Sequence, residues 1–270
     1  MKDWRKYNGA IIPLTPPHID AKTDGIEEEI KSNNVFFARW TSDFDNKEES
    51  EFWYVICEEK LELSDYSKNT RNQIRRGLRN CEVKIIDKQK VIKEGFESYN
   101  AAFLRYNTHL DAKSKEEFYQ EIESLGEEWE FWGIYNNSNM IGYCQNKVIG
   151  DYCDYSTIKF HPDYLKLYPS YALFYTMNQY YLNEKSFRYV NDGARSISHE
   201  TNIQSFLIQK FKFRKAFCRL NIIYSPKVKL ILSIIYPFKS IISLLKFGFF
   251  IRINILINQE RIRRSYEKGN

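Results

Sequence analysis

The spacing of hydrophobic positions predicts a regular succession of strands and helices over most of the chain. In some segments apolar and polar residues alternate and the segment ends at turn-forming residues, as in half-buried strands. In others the apolar residues recur every three or four positions, as on one face of a helix. The predicted strands are residues 35–41, 51–57, 81–87, 129–135, 140–149, 152–160, 188–190 and 213–224. The predicted helices are residues 88–107, 113–125, 168–183 and 201–211, with one more helix after Leu63.

From residue 81 onward, these elements follow in the order strand, helix, helix, three strands, helix, strand, helix, strand. Strands joined by tight turns pair antiparallel, whereas strands joined through a helix can pair in parallel. The order therefore predicts an α/β (α+β) fold with a mixed sheet flanked by helices. The two strands before residue 64 are joined by the acidic stretch 43–49, and we expect them to add a hairpin to the main body.

The helix after Leu63 is basic on one side. Ser64 or Asp65 is the predicted N-cap. The cations that share one side at helical spacing are Lys68, Arg71, Arg75 and Arg79. Such a stripe can contact an anion, namely a nucleotide phosphate, a tRNA backbone or an anionic lipid head group. The alternative is a charged helix face that is simply solvated.

Residues 226–270 differ in composition from the rest of the chain. Pro237 divides them, and the second part is predicted to be a basic amphipathic helix. The cations that interrupt every stretch long enough to cross a bilayer are Lys239, Lys246 and Arg252, and each would cost about 2.5–3.5 kcal/mol at the bilayer centre. In-plane association with an anionic membrane and packing on the domain or on a second subunit both stay open. The closing arginines that fit contact with lipid head groups are Arg261, Arg263 and Arg264.

Length, composition and net charge set broad limits on the class of protein. A chain of 270 residues with 43% hydrophobic and 16% aromatic residues can fill a large core. The net charge of +5 is too small to indicate a partner by itself. The five cysteines form no CxxC pair, so the sequence predicts neither a disulfide scaffold nor a metal site. The N-terminus lacks the apolar core of a signal peptide, so we expect a cytoplasmic protein.

Two segments, together with the order of elements, resemble the GNAT acyltransferase fold. FLIQKFKFRKAF, residues 206–217, resembles the last helix and strand of GNAT domains, in which an Asn, here Asn202, opens the helix and a GF pair precedes basic residues. KNTRNQIRRGLRN, residues 68–80, resembles the basic helix before a GNAT domain in FemABX-like proteins, which transfer aminoacyl groups from tRNA to cell-wall precursors. Related acetyltransferase-like proteins occur in bacterial polysaccharide assembly. The resemblance covers residues 63–224.

This resemblance implies an N-terminal extension at residues 1–63, a GNAT-like acyltransferase domain at 64–225 and a C-terminal helical tail at 226–270. It implies acyl-CoA, such as acetyl-CoA, or aminoacyl-tRNA as the donor, with no metal. The implied acceptor is an amine or hydroxyl of a cell-envelope glycan or of its lipid-linked precursor, at the inner membrane face. A catalytically inactive GNAT-fold binding or scaffold protein is the alternative, and a homodimer stays open.

The chain departs from the GNAT pattern at the donor loop. GNAT enzymes place a glycine-rich loop and a helix N-terminus against the pyrophosphate of acyl-CoA. The corresponding residues 161–174 contain no glycine, and Pro169 lacks an N–H. The general-acid Tyr of many GNAT enzymes falls near Ile208, and Lys212 replaces the Gly before Phe213. The remaining cofactor-binding candidates are Tyr168, Ser170, Tyr171, Arg71 and Arg75.

The catalytic candidates lie where the fourth and fifth strands of this fold splay apart and leave a notch for the donor carbonyl. A partly buried carboxylate or a histidine can take up a proton there, and an arginine can clamp a phosphate or carboxylate. The catalytic candidates are Asp154, Asp192 and His199. The substrate-binding candidates are Tyr155, Arg195, Ser196 and Asn202. The structural alternative is that Asp154 is a strand-edge acid and that Asp192 and Arg195 brace a loop.

Overall fold

A computed structural model describes residues 3–106, 111–197, 202–245 and 249–268. The strands within these residues are β1 (Trp4–Tyr7), β2 (Ala10–Pro13), β3 (Phe37–Asn46), β4 (Trp53–Cys57), β5 (Glu82–Ile86), β6 (Trp129–Asn136), β7 (Asn139–Ile149), β8 (Tyr152–Phe160), β9 (Tyr189–Ala194) and β10 (Arg214–Tyr224). The helices are α1 (Ile26–Ser32), α2 (Lys68–Asn80), α3 (Lys88–Phe103), α4 (Lys115–Glu123), α5 (Pro169–Asn178), α6 (Asn202–Phe211), α7 (Pro226–Ile235), α8 (Lys239–Ile242) and α9 (Phe249–Lys268). A π-helical turn, Gln179–Glu184, extends α5.

Most predicted elements are confirmed, with ends that shift by a few residues. The predicted strand 152–160 coincides with β8. A capping box opens α4, because the Ser114 side chain accepts from Glu117 N and the Glu117 side chain accepts from Ser114 N. The predicted cap of α2 is wrong. Ser67 caps α2 by accepting from Thr70 N, while Ser64 and Asp65 lie in a preceding 3₁₀ turn.

The chain forms two compact units. Unit 1 contains the described residues up to Tyr54, residues 194–197 and the described residues from Lys215 onward. Unit 2 contains Val55–Gly193 and Asn202–Arg214. The N-terminal segment and the C-terminal tail, which the sequence places in separate regions, therefore belong to one unit.

Unit 1 contains a hairpin, but not the predicted one. The segments now seen as β3 and β4 were expected to pair with each other. Instead β3 pairs antiparallel with β10, with Leu220 opposite Thr41, and its other edge pairs with β2. Because β10 pairs with this edge of β3 from Phe217 to Tyr224, β4 cannot form a hairpin with β3 there. The hairpin that forms is β1–β2, joined by Asn8-Gly9 at φ values of 47° and 77°.

The C-terminal tail consists of three helices rather than the two predicted parts. α9 packs within unit 1, where Gln259 accepts from Arg39 and Tyr266 accepts from Asn46. The closing arginines, predicted to contact lipid, form ion pairs inside the unit instead. Arg261 pairs with Glu51, and Arg263 and Arg264 pair with the buried Glu260. None of the helices in the described ranges is apolar over a length that would span a bilayer.

Unit 2 contains a mixed sheet in the order β4-β9-β8-β7-β6-β5. β5, β6, β7 and β8 pair antiparallel in sequence, and β9 pairs parallel to β8. One hydrophobic cluster joins α3 and α4 to the sheet through Val91, Phe118, Ile122, Phe131 and Tyr143. α5 and α6 form a second aromatic layer with Tyr155, Phe174, Phe206 and Phe211. The predicted mixed sheet flanked by helices is confirmed.

Candidate functional site

β8 and β9 stay paired over only three residues. The register joins Tyr152 to Tyr189, Cys153 to Val190 and Asp154 to Asn191. Beyond Asp154, β8 continues to Phe160 and is paired there with β7. Beyond Asn191, β9 continues to Ala194. The two parallel strands thus diverge after Asp154 and Asn191, as expected for a GNAT-like notch.

A polar cluster occupies the point of divergence. The Asn191 side-chain amide donates to Asp154 Oδ1 at 3.1 Å and to the Tyr152 hydroxyl at 3.1 Å. Asn191 Oδ1 in turn accepts from Gly193 N at 2.9 Å, and Gly193 has a φ of 85°. Because both ends of the buried amide are used, Asn191 fixes the Asp154 carboxylate and the turn that follows Asp192.

Asp192 is the most perturbed carboxyl of the described site. Burial, and secondly the negative charge of Asp154, raise its pKa to about 8. The Gln204 side chain approaches the backbone carbonyls of Asp192 and Gly193 at 3.4 Å each and so connects α6 to the end of β9. A carboxyl with a pKa near neutrality can exchange a proton with a reacting group, so Asp192 has the properties of a general base.

Tyr155, predicted as a substrate-binding residue, lies in the core and does not belong to this cluster. Tyr155 is buried, and its hydroxyl donates to Asn178 Oδ1 at 2.8 Å. Its ring packs against Phe174, Tyr181 and Phe213. Since successive residues of a strand point to opposite faces, the placement of Asp154 at the notch turns Tyr155 into the core.

A buried hydrogen-bond network lies under the sheet beside these strands. The Tyr181 hydroxyl donates to Glu130 at 2.7 Å and accepts from Trp132 Nε1 at 3.0 Å and from Asn146 at 3.2 Å. The π-helical turn after α5 carries Tyr181 into this position. This network was not predicted from the sequence, because its members are scattered over three elements that only the fold brings together.

The remaining predicted residues are distributed differently. His199 lies outside the described residues. Arg195 belongs to unit 1, where its guanidinium donates to Glu51 O at 2.5 Å, forms an ion pair with Glu51 and stacks 4.7 Å from the Trp53 ring centroid. Ser196, also in unit 1, is half-buried in the loop after β9. Asn202 is exposed at the first turn of α6 in unit 2, as the resemblance implied.

A second feature of unit 2 is a basic groove along α2. The residues that line the groove are Asn69, Asn72, Gln73, Arg75, Arg76, Leu78, Arg79 and Tyr168. Arg75, Arg76 and Arg79 are exposed, and no carboxylate in the described part of the chain forms an ion pair with them. Arg71, which was predicted as a ligand, is partly engaged, because it donates to Ser64 O at 3.1 Å. Arg76 was not predicted, although it shares a face with Asn72 and Arg79 at spacings of four and three.

The groove abuts the N-terminus of α5, the place that corresponds to the donor loop. Tyr168 caps α5 in a left-handed conformation, with a φ of 63°, and its ring lies 4.6 Å from the Arg76 guanidinium. A Cβ at Gly77 would lie 2.6 Å from Tyr168 O, so glycine lets α2 approach the α5 backbone closely. Helix α2 therefore lies directly against the first turn of α5.

The first turn of α5 has few backbone donors left for an anion. Pro169 has no N–H, and Tyr171 N and Ala172 N both donate to Tyr168 O, at 3.1 and 3.3 Å. The Tyr171 side chain, predicted to bind a cofactor, is buried and packs against Phe206 and Phe211. Ser170 is half-buried beside these residues. The exposed cationic groups next to this turn are the arginine side chains of α2.

The groove and the carboxylates are connected along β8. The seven residues from Asp154 to Phe160 make six steps and span about 20 Å in an extended strand. At the far end, α2 is joined to the sheet and to the turn before α5, because Asn80 O accepts from Asn136 and the Asn80 side chain reaches Leu167 O.

Comparison with known proteins identifies the fold. No protein-family model matches the chain, and neither does any curated protein sequence. The structure of FemX superimposes with a TM-score of 0.57 at 9% identity, over 86% of this chain and 85% of that one. The structure of L-PGS from Bacillus licheniformis gives 0.53 at 10% identity, over 86% and 82%. A C-terminal domain of a lysylphosphatidylglycerol synthetase from Agrobacterium fabrum gives 0.52 at 11% identity, over 85% and 82%. The chain thus has a FemX-like GNAT fold.

Proposed function

We propose that the protein is an aminoacyltransferase of the GNAT fold that moves an aminoacyl group from tRNA to an amine or hydroxyl of a lipid-linked cell-envelope precursor. The observation that carries the proposal is the position of Asp192. Its carboxyl, with a pKa of about 8, follows the last pair of β8 and β9, next to the charge of Asp154. That is where this fold brings the donor carbonyl and the acceptor together.

The transfer needs one proton acceptor at this point. The acceptor nitrogen or oxygen attacks the aminoacyl carbonyl, and its proton passes to the Asp192 carboxylate. The tetrahedral intermediate then collapses, the ester bond to the tRNA ribose breaks, and the released ribose oxygen takes up a proton. Asn191 orients the Asp154 carboxylate by a hydrogen bond, and the negative charge of Asp154 raises the pKa of Asp192 and so makes it the stronger base.

The donor is inferred from the basic groove. Backbone N–H groups at a helix N-terminus are the usual ligands of a pyrophosphate, and here α2 packs over that turn while Tyr168 O accepts from two of its amides. These contacts disfavour acyl-CoA such as acetyl-CoA. Exposed arginines along a helix suit the repeated phosphates of a nucleic acid backbone, so they favour charged tRNA.

The acceptor is inferred from the comparisons. Two of the similar structures are named for lysylphosphatidylglycerol synthesis, which places an aminoacyl group on a lipid, and the third is FemX. An acceptor at the cytoplasmic face of the membrane agrees with the names of all three structures. It would be either a lipid or a lipid-linked glycan of polysaccharide assembly.

Thermal unfolding with candidate donors tests this proposal. A ligand present at 100 times its dissociation constant, and bound only to the folded protein, adds about 2.7 kcal/mol of stability. Bulk aminoacylated tRNA should therefore raise the midpoint by several degrees, and acetyl-CoA should not. The double variant Arg75→Glu, Arg79→Glu should lose the shift with tRNA, while Lys93→Glu, an exposed cation on α3, should keep it. A shift with acetyl-CoA and none with tRNA would contradict the donor assignment.

The second candidate is a catalytically inactive GNAT-fold scaffold. It is favoured by the absence of glycine from residues 161–174 and by Ile208 at the position implied for a general-acid Tyr. In that case neither donor shifts the unfolding midpoint, and substitution of Asp192 changes stability without changing any transfer activity.

A further inference from the structure

The surface of unit 1 contains an apolar face on α7 and α8 that its own fold does not cover. We call it the α7–α8 face. Its residues lie on α7, on α8 and in the turns directly before and after α8, and they are Leu230, Ile231, Ile234, Phe238, Ile241 and Leu244. Ile241 is 65% exposed and Leu244 is 77% exposed. Buried hydrophobic residues on α7, Val228 and Leu232, already anchor that helix to the unit. Packing within the described part of the chain therefore leaves this group of large apolar side chains exposed to solvent.

The charged residues of the segment that carries this face have a single sign. From Pro226 to Gln259 the sequence contains no acidic residue. Its cations are Lys227, Lys229, Lys239, Lys246 and Arg252. Lys227 and Lys229 are exposed on α7, and no ion pair involves them in the described part of the chain. Aliphatic side chains bordered by unpaired lysines are typical of a helix that lies in the interface of an anionic bilayer.

We propose that the α7–α8 face docks the protein on an anionic phospholipid surface, with its aliphatic side chains in the acyl boundary and Lys227 and Lys229 on the head-group phosphates. A second copy of the chain is the less suitable occupant. A two-fold interface would bring the same patch, with the same cations and no acids, against itself. Anionic lipid instead neutralises each lysine. The docking does not depend on the proposed transfer reaction.

The location differs from the one that the sequence alone suggested. The closing arginines of α9 are occupied by Glu51 and Glu260, so they are not the cations that contact lipid. The lysines of α7 take this role because they border the exposed aliphatic residues. Membrane affinity is thus assigned to residues 227–244 rather than to the end of the chain.

Flotation of the full chain with vesicles tests the proposal. The protein should float with vesicles of phosphatidylcholine and phosphatidylglycerol, and much less with phosphatidylcholine alone or at high salt. The double variant Lys227→Gln, Lys229→Gln should weaken binding by about fivefold for each lysine removed. Leu244→Glu should reduce binding by about tenfold or more. It removes an aliphatic side chain that the bilayer would bury, and it adds a negative charge that the anionic lipid repels.

A matched control separates docking from folding. Leu104, at the end of α3, is 75% exposed, nearly the same as Leu244, and Leu104→Glu should float like the unmodified chain. The proposal is overturned if the unmodified chain does not float with anionic vesicles, or if Leu244→Glu and Leu104→Glu float equally. Sedimentation analysis can give another result that would contradict the docking proposal. A dimer that Leu244→Glu dissociates, in a protein that binds no vesicles, would make this face a self-association surface.

Discussion

Asn191 and Asp154 form the last cross-strand pair before β8 and β9 diverge, and the Asn191 amide donates to the Asp154 carboxylate at 3.1 Å. The contact holds one charge of the candidate site in place at the apex of the notch. It also couples the site to the turn after Asp192, since Asn191 Oδ1 accepts from Gly193 N. Asp154 and Asp192 therefore act as one electrostatic unit.

Replacement of Asn191 should weaken both stability and transfer. Asn191→Leu keeps the volume but leaves Gly193 N and one Asp154 oxygen without this partner, so we expect a loss of about 1–3 kcal/mol in unfolding free energy. The control is Asn221→Leu on β10, which removes a side-chain bond to Ser42 on β3 within unit 1. It should lower stability by a comparable amount and leave transfer unchanged. Equal activity of both variants would contradict a positioning role for Asn191.

The raised pKa of Asp192 predicts how stability depends on pH. The folded protein holds the Asp192 proton up to about pH 8, whereas the unfolded chain releases it near pH 4. Between these values the folded state binds more protons, so this group makes the protein less stable as the pH rises. Asp192→Asn removes the penalty and should be more stable than the unmodified chain at pH 9, by an amount on the order of a few kcal/mol.

Urea unfolding of both proteins at pH 5 and pH 9 measures this effect. The difference between the two free energies should grow with pH, because other titrating groups are common to both proteins. The variant Asp154→Asn should move the transition to lower pH, since Asp154 contributes to the raised pKa of Asp192. A difference that does not change with pH would mean that Asp192 titrates normally.

Gly77 should be required for the contact between α2 and α5. An added Cβ would lie 2.6 Å from Tyr168 O, which is backbone and has little freedom to move. Gly77→Ala should therefore cost about 1–3 kcal/mol, despite the higher helix propensity of alanine. Gly95→Ala on α3 is the control, since its added Cβ would meet side-chain atoms at 3.0–3.4 Å. A smaller loss is expected there, and equal losses would argue against close α2–α5 packing.

Lys212 carries strain that glycine should relieve. It adopts a φ of 61° between α6 and β10, where the resemblance to GNAT domains implied a glycine. A left-handed conformation costs a residue with a Cβ about 1–2 kcal/mol, so Lys212→Gly should stabilise the protein by about 1 kcal/mol. Lys210→Gly, inside α6, should destabilise it by about 1 kcal/mol. Thermal unfolding in which both variants lose stability would refute the argument.

The sequence predicted unit 2 well because its elements are long and regular. β6, β7 and β8 are long strands joined by short turns, and the Asn202 helix and the basic helix α2 carry recognisable residues. Asp154 and Asp192 lie where β8 and β9 stop pairing, as the sequence predicts for that part of the sheet. Tyr155, the neighbour of Asp154, lies in the core instead, because successive strand residues point to opposite faces and Phe174 of α5 packs on its ring.

The sequence predicts the N-terminal segment less well. It predicts no strand before residue 35, yet the Asn8-Gly9 turn and the residues around it form a hairpin. The partner of β3 could not be predicted locally, because β10 lies far along the chain. The ion pair of Arg261 with Glu51 likewise depends on tertiary packing. Glu260 instead pairs with Arg263 and Arg264 within α9, at spacings of three and four residues.

The central claim is that Asp192 accepts a proton during aminoacyl transfer from tRNA, and single-turnover transfer measures it most directly. Bulk tRNA carrying labelled amino acids is mixed with the protein and with lipid-linked precursors extracted from an envelope. Label should pass to the extracted material, at a rate that rises with pH up to about pH 8. Asp192→Asn should slow transfer by about 10²–10⁴-fold without weakening tRNA binding, while the exposed control Asp151→Asn should not. Label that stays on tRNA with the unmodified protein, or equal rates for Asp192→Asn, would contradict the claim.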